Sequence, residues 1–283
     1  MSSVVVVTDS TAMLPAELAV ERGIVVVPLQ VVVGGDAFDE DAATSDMVAT
    51  ALRARTAVST SRPTPAALLE VYERAAREGA SEVVSIHISG DMSGTFESAQ
   101  LAARDASVPV TTVDSRQAGV ATGFAVLSAV DVLDAGGTSG QAVEAARRRA
   151  AASSSLFYVD TLEYLRRGGR IGAATALFGG ALAVKPLLQI RDGRVDRLEK
   201  VRTAARAIAR IEELAVQAAG AHEIDLCVAH LANPDRAAQL VDHLGERLAG
   251  NLGGRDIWCG ELGAVLGAHV GPGTLAVCVS PRV

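Results

Sequence analysis

Aromatic side chains make up only 3% of this 283-residue chain, while the wider apolar set reaches 49%. A core must therefore be built mainly from Ala, Val and Leu, a palette that suits helices on a Val-rich sheet. Positive charge is also short. The 26 Lys and Arg against 33 Asp and Glu leave a formal net charge of -7, so there is no general basic field for counterion release and nucleic-acid binding is not expected. Cys227, Cys259 and Cys278 form no C-x-x-C pair for metal or redox work, and three unpaired thiols point to a reducing cytoplasm. No apolar run of about 18 residues is present to span a bilayer, and the opening "MSSVVVVTDS" lacks the basic n-region and cleavage pattern of a secretory signal. The expectation is a cytoplasmic protein without stable membrane insertion. No fixed-period repeat appears, and no low-complexity tract longer than "AASSS".

What is present alternates. "VVVVT" at Val4 to Thr8, "IVVVPLQVVV" from Ile24, "EVVSIHI" from Glu82 and "VPVTTV" from Val108 are strand-like runs separated by helical segments, the pattern of a parallel α/β domain. Several runs end in small polar residues, "TDSTAMLP", "SGDMSGT" and "DSRQAG". In open α/β sheets such strand ends form the ligand crevice. "TSRPTPAALLEVYERAAREG" supplies Thr64 as N-cap, Pro65 as first helical residue and Gly79 as stop. The preceding "STSRP" then reads as a loop with three consecutive hydroxyls. "AVEAARRRAAASSS" reads as a long surface helix running into a small-residue joint, which places the domain boundary near Ala152. Beyond it, Gly168 and Gly169 end a helix and present Arg170 on the turn. "PLLQIRDGRVDRLEKVRT" is a hairpin about Asp192 and Gly193, and helices flank the strand "IDLCVAH". The expected fold is α/β with two domains: residues 1–152 as a three-layer, Rossmann-like parallel-sheet domain and residues 153–283 as a two-layer mixed-sheet domain.

The stretch "HISGDMSGTFESAQ", His87 to Gln100, puts Ser89, Ser93 and Thr95 between a strand and a helix with no Lys, Arg or Cys. Three readings are open: a nucleophilic serine, a capping serine, or an anion site made of backbone N–H groups and hydroxyls. The hydrolase elbow G-x-S-x-G is absent, since the order is Gly90-Asp91-Met92-Ser93-Gly94. His269 or His87 remains available as a base for a hydrolase reading. A neutral hydroxyl site suits a monoanion whose other end is apolar, whereas polyphosphate calls for the cation and the G-x-x-x-x-G-K-[ST] loop that are missing here. "GPGTLA" matches G-x-G-x-x-A by letters, but no βαβ unit can follow it. Asp9, Asp36 and Asp114 follow apolar runs without the clustering that a metal needs, and Asp9 and Asp114 read as caps. No metal or cofactor is expected.

Taken in order, "VTDSTAMLP", "STSRPTP", "ISGDMSGTFESAQ", "VDSRQAG", "LEYLRRGGRIG", "KPLLQIRDGRV" and "GAHVGPGTLAV" resemble the DegV family, whose members include the fatty-acid-binding subunits of bacterial fatty acid kinase. The resemblance spans nearly the whole chain. It implies a non-catalytic lipid carrier that buries one long-chain fatty acid, of the palmitate or oleate class, with its carboxylate at the domain junction. It also implies that Thr60 and Ser93 hydrogen-bond the carboxylate beside Ser61 and Gly94, with His269 supporting them, and that a separate ATP-dependent fatty acid kinase subunit docks at Arg170 and Arg202. Arg62 departs from a glutamine often found in the family, and would change the site's charge if it pointed inward. Phe124, Phe157 and Phe178 are candidate tunnel residues, although plain core explains them as well.

Overall fold

In the computed structural model, which describes residues 3–172 and 185–282, the first half runs β1 (Val4–Asp9), α1 (Ala16–Glu21), β2 (Ile24–Val27), β3 (Gln30–Val33), β4 (Asp36–Asp39), α2 (Ser45–Arg53), β5 (Val58–Ser61), α3 (Pro65–Arg77), β6 (Glu82–His87), α4 (Thr95–Asp105), β7 (Val110–Asp114), α5 (Val120–Asp134) and α6 (Ser139–Ala152). The second half runs β8 (Ser154–Tyr158), α7 (Glu163–Arg167), β9 (Lys185–Arg191), β10 (Arg194–Val201), α8 (Ala204–Ala219), β11 (Ile224–His230), α9 (Pro234–Arg247), α10 (Ala249–Leu252), β12 (Trp258–Glu261), α11 (Ala264–Val270) and β13 (Leu275–Pro281).

Two α/β domains result. In the first, β2-β1-β6-β7 form a wholly parallel sheet. Both faces are covered, one by a cluster joining Val84 and Ile86 to Val126, Ala142 and Ala146, the other by one joining Val7 and Val83 to Leu68, Tyr72 and Ala99. Burial on both faces is why these strands are continuous Val-rich runs rather than alternating ones. In the second, β10-β9-β8-β13-β11-β12 form a mixed sheet in which only β11 and β12 pair in parallel. Its outer face packs Leu226, Val228, Val277 and Val279 against Ala207, Ile211, Leu240 and Leu244 of α8 and α9. Among the described residues no helix is long and apolar enough to cross a membrane.

Local chemistry explains most boundaries. Thr64 accepts a hydrogen bond from the Ala67 N–H at 3.1 Å and Pro65 opens α3, while Thr138 and Gln141 close a capping box on α6. Asp192 and Gly193 have φ of 50° and 79° and turn the β9–β10 hairpin, the left-handed pair that matches strand twist.

Three readings need correction. "IVVVPLQVVV" is two strands, because Pro28 carries no N–H for a ladder; β2 joins the parallel sheet, and β3 starts a separate antiparallel sheet ordered β4-β3-β5. "STSRP" is not wholly a loop. Ser59, Thr60 and Ser61 belong to edge strand β5, where Thr60 pairs with Val31. α6 is not a plain surface helix either, since Ala142, Val143, Ala145, Ala146, Arg149 and Ala150 are buried. Arg149, only 4% exposed, reaches into the second domain, where it donates to Ser280 Oγ at 2.6 Å and pairs with Asp225.

The topology creates a crevice. β1 has β2 on one side and β6 on the other, so the chain leaves their carboxyl ends in diverging directions, and the inner face of the second sheet lies opposite that gap.

Candidate functional site

The loop after β6 divides its serines between two tasks. Ser89 is fully buried and donates to the Gly193 carbonyl at 2.7 Å, while Arg194 pairs with Asp91 at 2.7 Å and Arg116 donates to the Asp192 carbonyl at 2.7 Å. This half of the loop fastens the hairpin tip of the second domain. Ser93 instead faces the crevice, with Oγ 2.8 Å from Thr95 Oγ1 and accepting from the Thr95 N–H at 3.3 Å. Both Ser93 and its neighbours stand at the entrance of α4, where backbone dipoles favour negative charge.

On the facing side, the strand alternation of β5 turns Thr60 inward and leaves Ser61 exposed. Thr60 Oγ1 lies 2.9 Å from His269 Nε2. His269 sits in the last turn of α11, and burial, helped by the charge of Arg170, pushes its pKa down to about 4. The imidazole is therefore neutral near pH 7. The start of α11 is held by Glu40, whose carboxylate accepts from the Val265 N–H at 2.7 Å and the Ser10 hydroxyl at 2.5 Å. Burial raises the Glu40 pKa. Glu40 is a site element that the sequence did not reveal, because its partner is 225 positions away.

Behind these polar groups is a cavity with an almost wholly apolar lining, the usual character of a small-molecule site. Met13, Leu29, Ile88 and Met92 line the side of the first domain, and Leu262, Val265 and Leu266 line another. The inner face of the second sheet contributes Ser155, Phe157, Cys227, Ala229, Ala276 and Cys278. Alternation along β11 and β13 explains the space. Leu226, Val228, Val277 and Val279 point to the helices, and the small residues between them point to the cavity. Burial raises the Cys227 and Cys278 thiols, the latter to about 12, so both act as apolar wall.

Thr60, Ser93, Arg170 and His269 come together at the cavity mouth. Arg170 donates to the Met92 carbonyl at 3.0 Å. It also borders an outer cleft lined by Arg55, Arg167, Tyr164 and Ser59, which shares Thr60 and His269 with the cavity. Arg55 lies in none of the quoted motifs, and Tyr164, within "LEYLRRGGRIG", was given no role by the sequence. Ser61 and Arg202 are exposed and line neither space. Gly94 is the N-cap of α4, and a side chain there would collide with the Arg62 guanidinium. Arg62 does not point inward; it donates to the Gly94 carbonyl at 2.9 Å and pairs with Glu97 at 2.7 Å. Phe157 lines the cavity, Phe124 lies behind its wall, and Phe178 falls outside the described residues.

The hydrolase pairing is not assembled, since the bonding partner of His269 is Thr60 and that of Ser93 is Thr95. A Ser-His-Asp chain does exist elsewhere: Ser85 Oγ is 2.7 Å from His87 Nε2, and His87 Nδ1 is 2.9 Å from Asp9 Oδ2. All three are fully buried, and Tyr72 OH closes the chain at 2.8 Å. No substrate reaches it. Asp9 also accepts from the Thr11 and Ile88 N–H groups, so this network fixes the ends of β1 and β6 on which the mouth is built. Asp114 likewise caps its turn through the Arg116 N–H at 2.8 Å. Among the described residues no three His, Cys, Asp or Glu side chains gather as a metal site requires.

The family model described as "Uncharacterised protein, DegV family" matches residues 3–282. A DegV domain-containing protein of Streptomyces coelicolor is 53% identical over 280 residues, covering 99% of each chain, and one of Deinococcus radiodurans is 38% identical over 288 residues, again 99% of each. Among solved structures, a DegV family protein from Thermus thermophilus described for its fatty acid binding superposes with a TM-score of 0.91 at 35% identity, over 99% of both chains. DegV from Bacillus subtilis, described as a fatty acid binding protein, superposes with a TM-score of 0.90 at 30% identity, over 99% of this chain and all of that one.

Proposed function

The chain belongs to the DegV family, and from that premise we propose that it binds one long-chain fatty acid of the palmitate or oleate class and carries it without chemistry of its own. The observation that bears most weight is an apolar cavity whose mouth presents neutral hydroxyls beside a neutral imidazole. The fatty acid binding described for the Thermus thermophilus and Bacillus subtilis proteins supports the same ligand class.

In this reading the carboxylate sits between Thr60 and Ser93. His269 donates from Nε2 to Thr60, whose own O–H then turns to the carboxylate, and the Ser93 hydroxyl supplies a second bond. Burying about 14 methylenes is worth on the order of 11 kcal/mol, and two charge-assisted bonds add roughly 3 to 6. Ordering and association costs remove much of this. The tail dominates affinity, and the hydroxyls fix where the carboxylate stands.

A second part of the proposal is presentation to a separate ATP-dependent kinase for acyl phosphate formation. The cationic cleft outside the mouth, with Arg55, Arg167 and Arg170, supports it. A carboxylate held by hydroxyls rather than by an ion pair keeps its nucleophilicity. Arg170 and Arg202 would dock the kinase, and both partners would meet in the cytoplasm. Placing the domain boundary at residue 152 also belongs to the proposal; α6 ends there and β8 begins at Ser154.

Native mass spectrometry of the purified protein, followed by denaturation, tests the ligand. The expected result is one long-chain fatty acid per chain. Apo protein that refuses added palmitate and oleate overturns the reading, and stoichiometric labelling of Ser93 by a serine-directed phosphonate would replace it with a hydrolase.

A further inference from the structure

The far end of the cavity, formed by Val120, Cys227 and Cys278, is backed by an aromatic pair, Phe124 and Trp258. Thr274, just before β13, and the inward-facing Ala276 and Cys278 along it are all at the cavity surface, a run of about 13 Å away from the mouth at the usual strand rise. The next inward position, Ser280, is buried and already bonded to Arg149 Nε at 2.6 Å and Ser153 Oγ at 2.7 Å. Apolar lining therefore gives way to a saturated polar layer within two residues.

Phe124 stands at that change. It lies one turn beyond Val120, which lines the cavity, and shares an apolar cluster with Val120, Cys227 and Cys278. Its ring is 3% exposed and packs on Trp258, centroid to centroid 5.0 Å at 45°. The Arg149 guanidinium lies 5.6 Å from its centroid. Beyond the ring is a second cleft, lined by Phe124 and Trp258 together with Arg22, Asp131, Asp225 and Arg282. The Phe124 ring, together with the Val120, Cys227 and Cys278 wall in front of it, thus stands between an apolar cavity and an ion-rich cleft.

We propose that Phe124 backs the floor of the acyl site, behind Val120 and Cys278, and so sets the length of chain the protein accepts; this rests on the fatty-acid reading above. A chain that fits ends against the Val120 and Cys278 wall that the ring holds in place. A longer one must either leave methylenes outside the mouth, forgoing roughly fourfold in affinity for each, or push its tail among charges that are paired and desolvated. Removing the ring opens space for the tail without touching Thr60, Ser93 or His269.

The test is competition. Delipidated protein is offered an equimolar series of saturated acids from myristate to behenate, and the bound species are read by native mass spectrometry. The wild type is expected to show a sharp upper limit. Phe124→Ala should move the maximum about two carbons or more upward, and Phe124→Trp should move it downward. Phe124→Leu, which keeps an apolar side chain, should move it upward less and serves if the alanine variant fails to fold. Stoichiometric binding with an unmoved distribution in Phe124→Leu and Phe124→Trp overturns the proposal alone. A wild-type protein that takes up none of the acids overturns the fatty-acid reading and this proposal with it.

Discussion

Ser93 and Thr60 each bring one hydroxyl to the mouth of the cavity. Loss of one bond to a charged group costs about 1.5 to 3 kcal/mol. Ser93→Ala and Thr60→Val are therefore each expected to weaken palmitate binding roughly ten- to a hundredfold, measured by displacement of a fluorescent fatty acid, and to lower the rate of phosphorylation by a family kinase more than they lower retention of the chain. An unchanged affinity and rate in both variants would remove them from the site. His269 gives a pH signature. Its pKa is about 4 in the folded protein against the ordinary 6.5, so as pH falls through 6.5 the unfolded chain takes up a proton that the native state refuses. Stability should fall between about pH 6.5 and 4, and this group's effect should stop changing below 4; the loss is on the order of 3 kcal/mol. Urea titrations of His269→Gln against wild type across that range should show a shallower fall, and equal slopes would mean His269 is not buried neutral. Thr60 entered only through the family resemblance, whereas Ser93 was legible as a candidate because small polar residues follow a strand-like run there. Glu40 was not, since nothing in "FDED" says that one carboxylate will cap a helix 225 positions away.

The β9–β10 hairpin is the element on which both domains lean. Gly193 has φ of 79°, and a Cβ there would stand 2.6 Å from Ser89 Oγ. Gly193→Ala meets a strained backbone and a steric conflict together, so a loss of about 2 kcal/mol or more is expected in urea unfolding. A change within 0.5 kcal/mol would show that the tip is loosely docked. Asp-Gly announced this turn in the sequence because the left-handed pair has few other residues to choose from. The small antiparallel sheet gave no such sign. A run of "VSTS" is short and polar enough to read as loop, and only its pairing with Val31 and Val33 makes Val58 to Ser61 a strand. Pro28 was visible in "VVVPLQVVV", yet whether a proline ends one strand or kinks a continuous one depends on where the flanking residues find partners.

At the scale of the whole molecule, Arg149 joins the two domains through Ser280 and Asp225 while almost entirely buried. Arg149→Ala should cost about 3 kcal/mol or more, because Asp225 loses its most buried partner and Ser280 a donor; thermal unfolding followed by circular dichroism would show it, and an unshifted midpoint would mean that the domains do not depend on this pair. Ligand should act in the opposite sense. Palmitate at a hundred times its dissociation constant should add about 2.7 kcal/mol, and at roughly 2 to 4 °C per kcal/mol for chains approaching this size the midpoint should rise by about 5 to 10 °C. No rise with either palmitate or oleate would count against the cavity as a fatty-acid site. Two domains and their sheet types were readable from the spacing of apolar runs. The cavity was not. Alternating large and small residues in "DLCVAH" and "LAVCVS" describe a close-packed wall and an open one equally well, and which it is depends on how far away the other domain stops.

The bond from Ser89 to the Gly193 carbonyl lies in the same short loop as Ser93, so the fastening of the two domains and a hydroxyl at the cavity mouth share one segment of chain. On the carrier reading, a cargo enclosed there would come and go through one opening, so a looser fastening at Ser89 is expected to quicken entry and exit together and leave the balance between them nearly unchanged.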